Sequence, residues 1–339
     1  MTRSVTNSPA RWLAHALAWA LAATGASAAP DRATLAQAVA AAERQGLVGE
    51  VLVAGPEGVR FEGAPGGGTV GRVWRWASVS KQVTAVMALQ EVEAGRLQLD
   101  APVAPMLAPS WQAPAGVTSR QLLQHTSGLR EVPGDFNTRP GPMPAHREAA
   151  LAHCTQAPEA APNQRFAYYA CDTWVMQAVL ERASGQSIDA LLNRLGASLG
   201  WRQVRWSGGE GALPNPATYG AGAALMGTAR ELWAFDDALM RGKLVSAASR
   251  AELWRGEPRW GYAALGTWSF EAPLAGCKEP VAIVERRGLL GALQVRNLMV
   301  PAQGLAVIVF TEREGLDFGE IWQGRGLSFD LLSAAACSR

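Results

Sequence analysis

The chain has almost no net charge: 31 Lys and Arg against 29 Asp and Glu give +2 at neutral pH. That removes the usual reason to invoke nucleic acid or an anionic membrane surface as a partner. Metal-ligand spacing is missing too. None of the four cysteines forms a C-x-x-C pair, and no histidine stands at zinc-ligand spacing from another, so no metal site is expected. No G-x-S-x-G nucleophile elbow occurs. The stretch Gly66-Gly67-Gly68-Thr69-Val70-Gly71 satisfies G-x-G-x-x-G formally, but Arg72-Val73-Trp74-Arg75-Trp76 does not continue it as a phosphate-binding helix. A loop is expected there, and no dinucleotide cofactor. Internal repeats and long low-complexity tracts are absent. Beyond the N-terminus no apolar run approaches the ~20 residues needed to cross a bilayer.

What is present is 339 residues, 48% apolar, enough for a large core. Arg3 and Arg11 precede an apolar run from Trp12 to Ala23, interrupted by His15, and Ala26-Ser27-Ala28 is a small-x-small cleavage site. This layout predicts a signal peptide over residues 1–28 and a mature chain that is periplasmic or secreted, with no transmembrane segment after cleavage. In an oxidising compartment Cys154, Cys171, Cys277 and Cys337 are expected to pair. Sequence allows three connectivities. Cys154–Cys171 and Cys277–Cys337 are preferred, because the first closes a short Pro- and Ala-rich loop and the second ties the tail back.

The most informative tetrapeptide is Ser78-Val79-Ser80-Lys81, at the head of a helical pattern carried by Val79, Val83, Val86, Met87 and Leu89 and ended by Gly95. Residues three apart share a helix face, so Ser78 and Lys81 are neighbours. A serine hydroxyl needs a base beside it to act as a nucleophile, and the N-terminal end of a helix favours negative charge developing there. Lys81 is one of few lysines in an arginine-rich chain.

Strand, turn and strand are read from Gly49 to Arg60, around Gly55-Pro56-Glu57-Gly58. Helical periods broken by Pro- and Gly-rich loops fill Ser78 to about Gly200, and helix returns from Thr228 to Leu239. Strands follow at Gln294–Val300 and Leu305–Thr311, then a terminal helix around Leu331. The expected fold is α+β: one antiparallel sheet built from both chain ends and flanked by helices, with an inserted mostly helical lobe. Residues 29–339 form a single catalytic region, with the sheet lobe at about 29–76 and 215–339 and the helical lobe at about 77–214.

Several long blocks, in order, resemble the β-lactamase-related serine hydrolases, the class C-like family that includes penicillin-binding proteins. They are Trp76 to Ala85, Glu93 to Val103, Thr118 to Leu129 with its His125-Thr126-Ser127-Gly128-Leu129 core, and Phe166 to Asp172 followed by Glu181 and Gly185. The resemblance runs from roughly Gly49 to Phe310 and implies the same sheet-plus-helix fold, with the site in a cleft between the lobes. It implies Ser78 as acylation nucleophile and Lys81 and Tyr168 as the proton-transfer pair, with Tyr169 the alternative if the register slips by one. The family's Y-x-N motif is altered, since Ala170 stands where the asparagine would be. That loss predicts slow acylation by β-lactams and ready hydrolysis of activated esters.

Arg286-Arg287-Gly288 aligns with the family's K-T-G or H-x-G strand. On that alignment the two arginines steer an anionic substrate group, and the N–H groups of Ser78 and Leu289 form the oxyanion hole. His125 is left out of the mechanism, because its block is structural in the family. The expected activity is hydrolysis of an ester, a D-amino-acid peptide or a β-lactam, on a small-molecule or peptidoglycan-type substrate and without a cofactor. The rival is a non-catalytic binding or regulatory relative, for which Ala170 and the double arginine speak.

Overall fold

The computed structural model describes residues 34–107, 116–209 and 214–337; the expected signal segment lies outside them. The chain opens with helix α1 (Leu35–Arg44), the hairpin β1 (Gly49–Gly55) and β2 (Gly58–Gly63), and a short β3 (Trp74–Arg75). Helices α2 (Ser80–Glu93), α3 (Ala104–Leu107), α4 (Ser119–Gln124), α5 (Met143–Cys154), α6 (Ala170–Ser184) and α7 (Ile188–Leu199) follow. Next come β4 (Arg205–Trp206), β5 (Leu225–Gly227), α8 (Ala229–Met240) and α9 (Ala247–Leu253). The close is β6 (Trp268–Ala272), β7 (Val281–Leu290), β8 (Leu293–Val300), β9 (Leu305–Thr311) and α10 (Leu327–Cys337).

Six strands form one antiparallel sheet in the order β2-β1-β9-β8-β7-β6. Both ends of the chain therefore meet at its centre, where Gly49 to Ala54 pair with Thr311 back to Ala306. This is the α+β arrangement read from the sequence.

Side chains alternate across a strand, and here both faces are covered. Val51, Val53, Val307 and Val309 pack with α1 and α10, through Val39, Leu331 and Leu332. Leu52, Ala54, Ile308 and Phe310 face the other way, onto the core that holds α2 and α8. Each buried Val, Leu, Ile or Phe contributes about 1.5–3 kcal/mol, which is why β1 and β9 read as nearly unbroken apolar runs.

Helix α2 lies at the centre of the larger core, buried on nearly every side. Its polar residues are matched rather than exposed. The Ser80 hydroxyl donates to Ala77 O (2.7 Å) and accepts from Leu225 N–H (3.1 Å), and Thr84 donates to Ala221 O (2.9 Å). These bonds fix α2 against the segment 216–225. Two disulfides, Cys154–Cys171 and Cys277–Cys337, tie α5 to the first turn of α6 and the β6–β7 connection to the end of α10. Closing loops of 17 and 60 residues removes denatured-state entropy worth roughly 3–4 kcal/mol each on the chain-entropy estimate.

Candidate active site

Ser78 sits in a single 3-10 turn, Ala77–Val79, that leads directly into α2. The residue before it, Ala77, holds φ at +46°, in the left-handed region that costs a non-glycine residue about 1–2 kcal/mol. Strand β7 passes tightly against this turn. A Cβ on Gly288 would stand 2.8 Å from Trp76 O and 3.1 Å from the Ala77 Cβ, so only glycine fits. Leu289, next along β7, has a side chain that is 68% exposed.

Lys81 lies one turn along α2, and its buried Nζ is 3.3 Å from Ser78 Oγ and 3.0 Å from Gly222 O. The Gly222 carbonyl can be there because the segment Pro216–Gly222 lies flat on α6: a Cβ on Gly222 would come within 2.5 Å of Thr173 Oγ1. Burial lowers the Lys81 ammonium below its usual pKa, the Arg286 cation adds to the fall, and Tyr168 works against it.

Tyr168 ends the extended stretch before α6. Its ring is sandwiched between His125 (centroids 4.4 Å apart) and Trp268 (6.2 Å, stacked), with Lys81 Nζ 4.7 Å from its centroid. Its hydroxyl accepts a hydrogen bond from the Arg286 guanidinium. Burial alone would raise the phenol. The positive charges of Arg286 and then Lys81 outweigh it, with hydrogen bonding to Lys81 and Ser78, and bring it down to about 8. Tyr169 points elsewhere, with its hydroxyl 3.3 Å from Glu159 Oε2. Of the two tyrosines, Tyr168 is the one that meets Ser78 and Lys81.

The two arginines part company. Arg286 is 2% exposed, donates from Nε to Ser78 O (2.8 Å), and lies over the Trp268 ring at 4.9 Å. Arg287 faces the opposite side of β7, where it pairs with Glu285 (2.6 Å) and Glu320 and lies over Trp322. The expectation that both arginines steer a substrate anion is therefore corrected. Strand alternation sends Arg287 away from the cleft, and Arg286 is spent on the tyrosine hydroxyl and the serine backbone.

His125 holds the floor. It caps α4 in the left-handed conformation, its carbonyl accepts from Ala167 N–H (2.9 Å), and its Nδ1 lies 3.0 Å from Asp172 Oδ2. Burial, with Lys81 and Arg286 nearby, pushes the imidazole well below its usual pKa, so it stays neutral. It positions Tyr168 by contact. Sequence reasoning missed Trp268, Gly222, Asp172 and Glu131. Of these, Gly222 carried a signal in the glycine-rich Gly220-Ala221-Gly222, and Asp172 stood at the end of the Phe166–Asp172 block without being given a role. Ala170 begins α6, and its N–H donates to Glu131 Oε1 (2.9 Å). Among the described residues there is no group of three or more His, Cys, Asp or Glu placed to hold a metal, and no helix long and apolar enough to cross a membrane.

Comparison with known proteins places this geometry. The sequence pattern of the Beta-lactamase family matches residues 32–325. Penicillin-binding protein 4 of Amycolatopsis lactamdurans is 33% identical over 153 residues, 43% of this chain and 39% of the relative. The match thus spans about two-fifths of that curated protein's length. A D-stereospecific amidohydrolase from Streptomyces sp. superposes with a TM-score of 0.71 at 22% identity, covering 91% of this chain and 99% of that one. EstCE1, a hydrolase with promiscuous acyltransferase activity, gives 0.70 at 19% identity, over 89% and 98% of the two chains. At such identities the likeness establishes the shared fold.

Proposed function

The chain belongs to the Beta-lactamase family, and from that premise we propose that it is an exported serine hydrolase working through a Ser78 acyl-enzyme. The observation that carries this is the Ser78 Oγ–Lys81 Nζ contact of 3.3 Å, with the Tyr168 hydroxyl held over it by Arg286. Tyr168, pulled down to about 8, supplies a phenolate fraction near neutral pH that can take the serine proton. Lys81 keeps that phenolate favourable and orients Oγ.

The Ser78 Oγ–carbonyl carbon bond forms, and the oxyanion is received by the N–H groups of Ser78 and Leu289. The bond to the leaving oxygen or nitrogen breaks as Tyr168 returns the proton to it. Water then attacks the acyl-enzyme, giving its proton to the same pair, and releases the acid with Ser78 restored.

Esters and amides are the substrate classes this chemistry serves, and the structural relatives described as an amidohydrolase and as a hydrolase with acyltransferase activity are in keeping with acyl transfer. Ala170 offers no side-chain amide, so β-lactams are poor substrates in this reading. The two disulfides fit an oxidising compartment. A fluorescent fluorophosphonate probe tests the proposal: the parent should label covalently, and Ser78→Ala should not. A folded parent that never labels or turns over an ester would instead be a binding protein that keeps the fold.

A further inference from the structure

Tyr168 lies just before α6, and the backbone on its two sides is held in different ways. Upstream, hydrogen bonds run to the His125–Leu129 block: Glu159 and Ala160 N–H donate to Gly128 O (3.0 and 3.1 Å), Asn163 N–H to Thr126 O (2.7 Å) and Ala167 N–H to His125 O (2.9 Å). Downstream, α6 starts without a side-chain N-cap, because Tyr169 occupies that position and makes no capping bond. Two ties take its place. Ala170 N–H donates to Glu131 Oε1 (2.9 Å), and Cys171 is bonded to Cys154, the last residue of α5. Both lead to one knot, since His153 Nε2, beside Cys154, lies 2.8 Å from Glu131 O.

The disulfide is the covalent tie. Cys154 and Cys171 are buried, with their Cα atoms 5.2 Å apart. Cys171 stands three residues after Tyr168, and three residues span at most roughly 10 Å. Little chain is left between the anchored sulfur and the phenol to absorb a shift. The phenol needs such an anchor because its partners stand on other elements: Arg286 on β7 donates to its hydroxyl, and Lys81 Nζ on α2 lies 4.7 Å from its ring centroid. α6 must therefore begin at a fixed place relative to both.

We infer that the Cys154–Cys171 bond is a positioning device for Tyr168, fixing the start of α6 so that the phenol stays within reach of Arg286, Lys81 and Ser78. The inference rests on the serine-hydrolase reading above. The other disulfide supplies a comparison, because Cys337 belongs to the core on the α1 and α10 side of the sheet, away from Tyr168.

Parent, Cys154→Ala/Cys171→Ala and Cys277→Ala/Cys337→Ala are compared with p-nitrophenyl acetate across the pH range of the phenol's step, at a temperature where near-ultraviolet circular dichroism shows each to be folded. Loss of the first bond should lower kcat/KM about ten- to hundredfold, the scale of a displaced catalytic group. It should also move the step up from about 8 towards the ordinary phenol value of 10.0, as the two cations lose their hold. Loss of the second should leave rate and step in place. A first variant with the parent's rate and step overturns the inference. So does a slower variant whose step has not moved, since a bond that only stabilises the fold does not shift a phenol, and so does a step moved equally in both variants. If Cys154→Ala/Cys171→Ala does not fold, Cys154→Val/Cys171→Ala, which refills the vacated space, replaces it; failure of both to fold overturns the inference in favour of a purely stabilising bond. A parent inert towards p-nitrophenyl acetate overturns the serine-hydrolase reading and this inference together, whereas an active parent with an unaltered first variant overturns the inference alone.

Discussion

Lys81 and Arg286 act on one phenol from two sides, and their effect is readable as a pH profile. Tyr168 reaches about 8 because the two cations more than offset burial. If its phenolate is the base, kcat/KM for p-nitrophenyl acetate should climb about tenfold per pH unit below 8 and level off above it. Tyr168→Phe should lower that rate by ~100-fold or more and abolish the climb. Tyr169→Phe, whose hydroxyl is engaged by Glu159, should leave the profile in place. A silent Tyr168→Phe in stopped-assay kinetics would remove the tyrosine from the mechanism. Arg286→Lys is not a conservative exchange here, since one guanidinium bridges Ser78 O and the tyrosine hydroxyl while an ammonium offers a point charge. It should slow labelling by about tenfold or more while leaving the fluorophosphonate adduct on Ser78, as peptide mapping would show.

Elements were legible in the sequence to the extent that their patterns were local. The hairpin around Pro56-Glu57, strands β8 and β9, and helix α2 with Gly95 at φ +71° just past its end all follow from runs, turns and caps that neighbouring residues declare. The 3-10 turn that carries Ser78 was not visible, because it depends on β7 lying against Ala77. Nor was β6, whose Trp268-Ser269-Phe270-Glu271-Ala272 is too short to assert a period and becomes a strand by pairing with Val281–Glu285. The Arg286–Arg287 pair shows a third limit. Its alignment put both residues at the site, but the two-residue period of a strand admits one, and Glu285 and Glu320 receive the other. Gly288 gives the element-scale test. Gly288→Ala places a methyl 2.8 Å from the Trp76 carbonyl, so strand and turn must separate. The expected result is labelling slowed at least about tenfold, with a stability loss of about 1–3 kcal/mol by urea denaturation.

At the scale of the whole molecule, a buried acid couples stability to pH. Asp236 on α8 accepts from Asn297 Nδ2 (3.1 Å) and Gln82 Nε2 (3.4 Å), so it joins sheet, α8 and α2. Burial lifts it from 3.8 to about 8. The folded state thus prefers the protonated acid: its contribution is whole below the unfolded value of 3.8 and declines as pH rises towards about 8, on the order of 1.4 kcal/mol per unit. Asp236→Asn cannot ionise, and its amide can donate to Gln82 Oε1 or Asn297 Oδ1, both buried without a partner. The variant's Tm should exceed the parent's by a margin that widens from pH 5 to pH 8 and then holds constant. A margin that does not change with pH would show that Asp236 is ionised in the fold.

The bond from Arg286 to the Ser78 carbonyl joins residues 208 positions apart, and that separation has a meaning in time. At synthesis rates of roughly 5–20 residues per second, the arginine leaves the ribosome some 10–40 s after the serine. Through that interval the nucleophile's turn lacks the strand that shapes it, the tyrosine lacks its donor, and β1 waits for β9. Until then the chain carries Ser78, Lys81 and Tyr168 without the guanidinium that links the serine's turn to the tyrosine. A chain assembled in this order closes the turn that carries Ser78 only after most of it has been made.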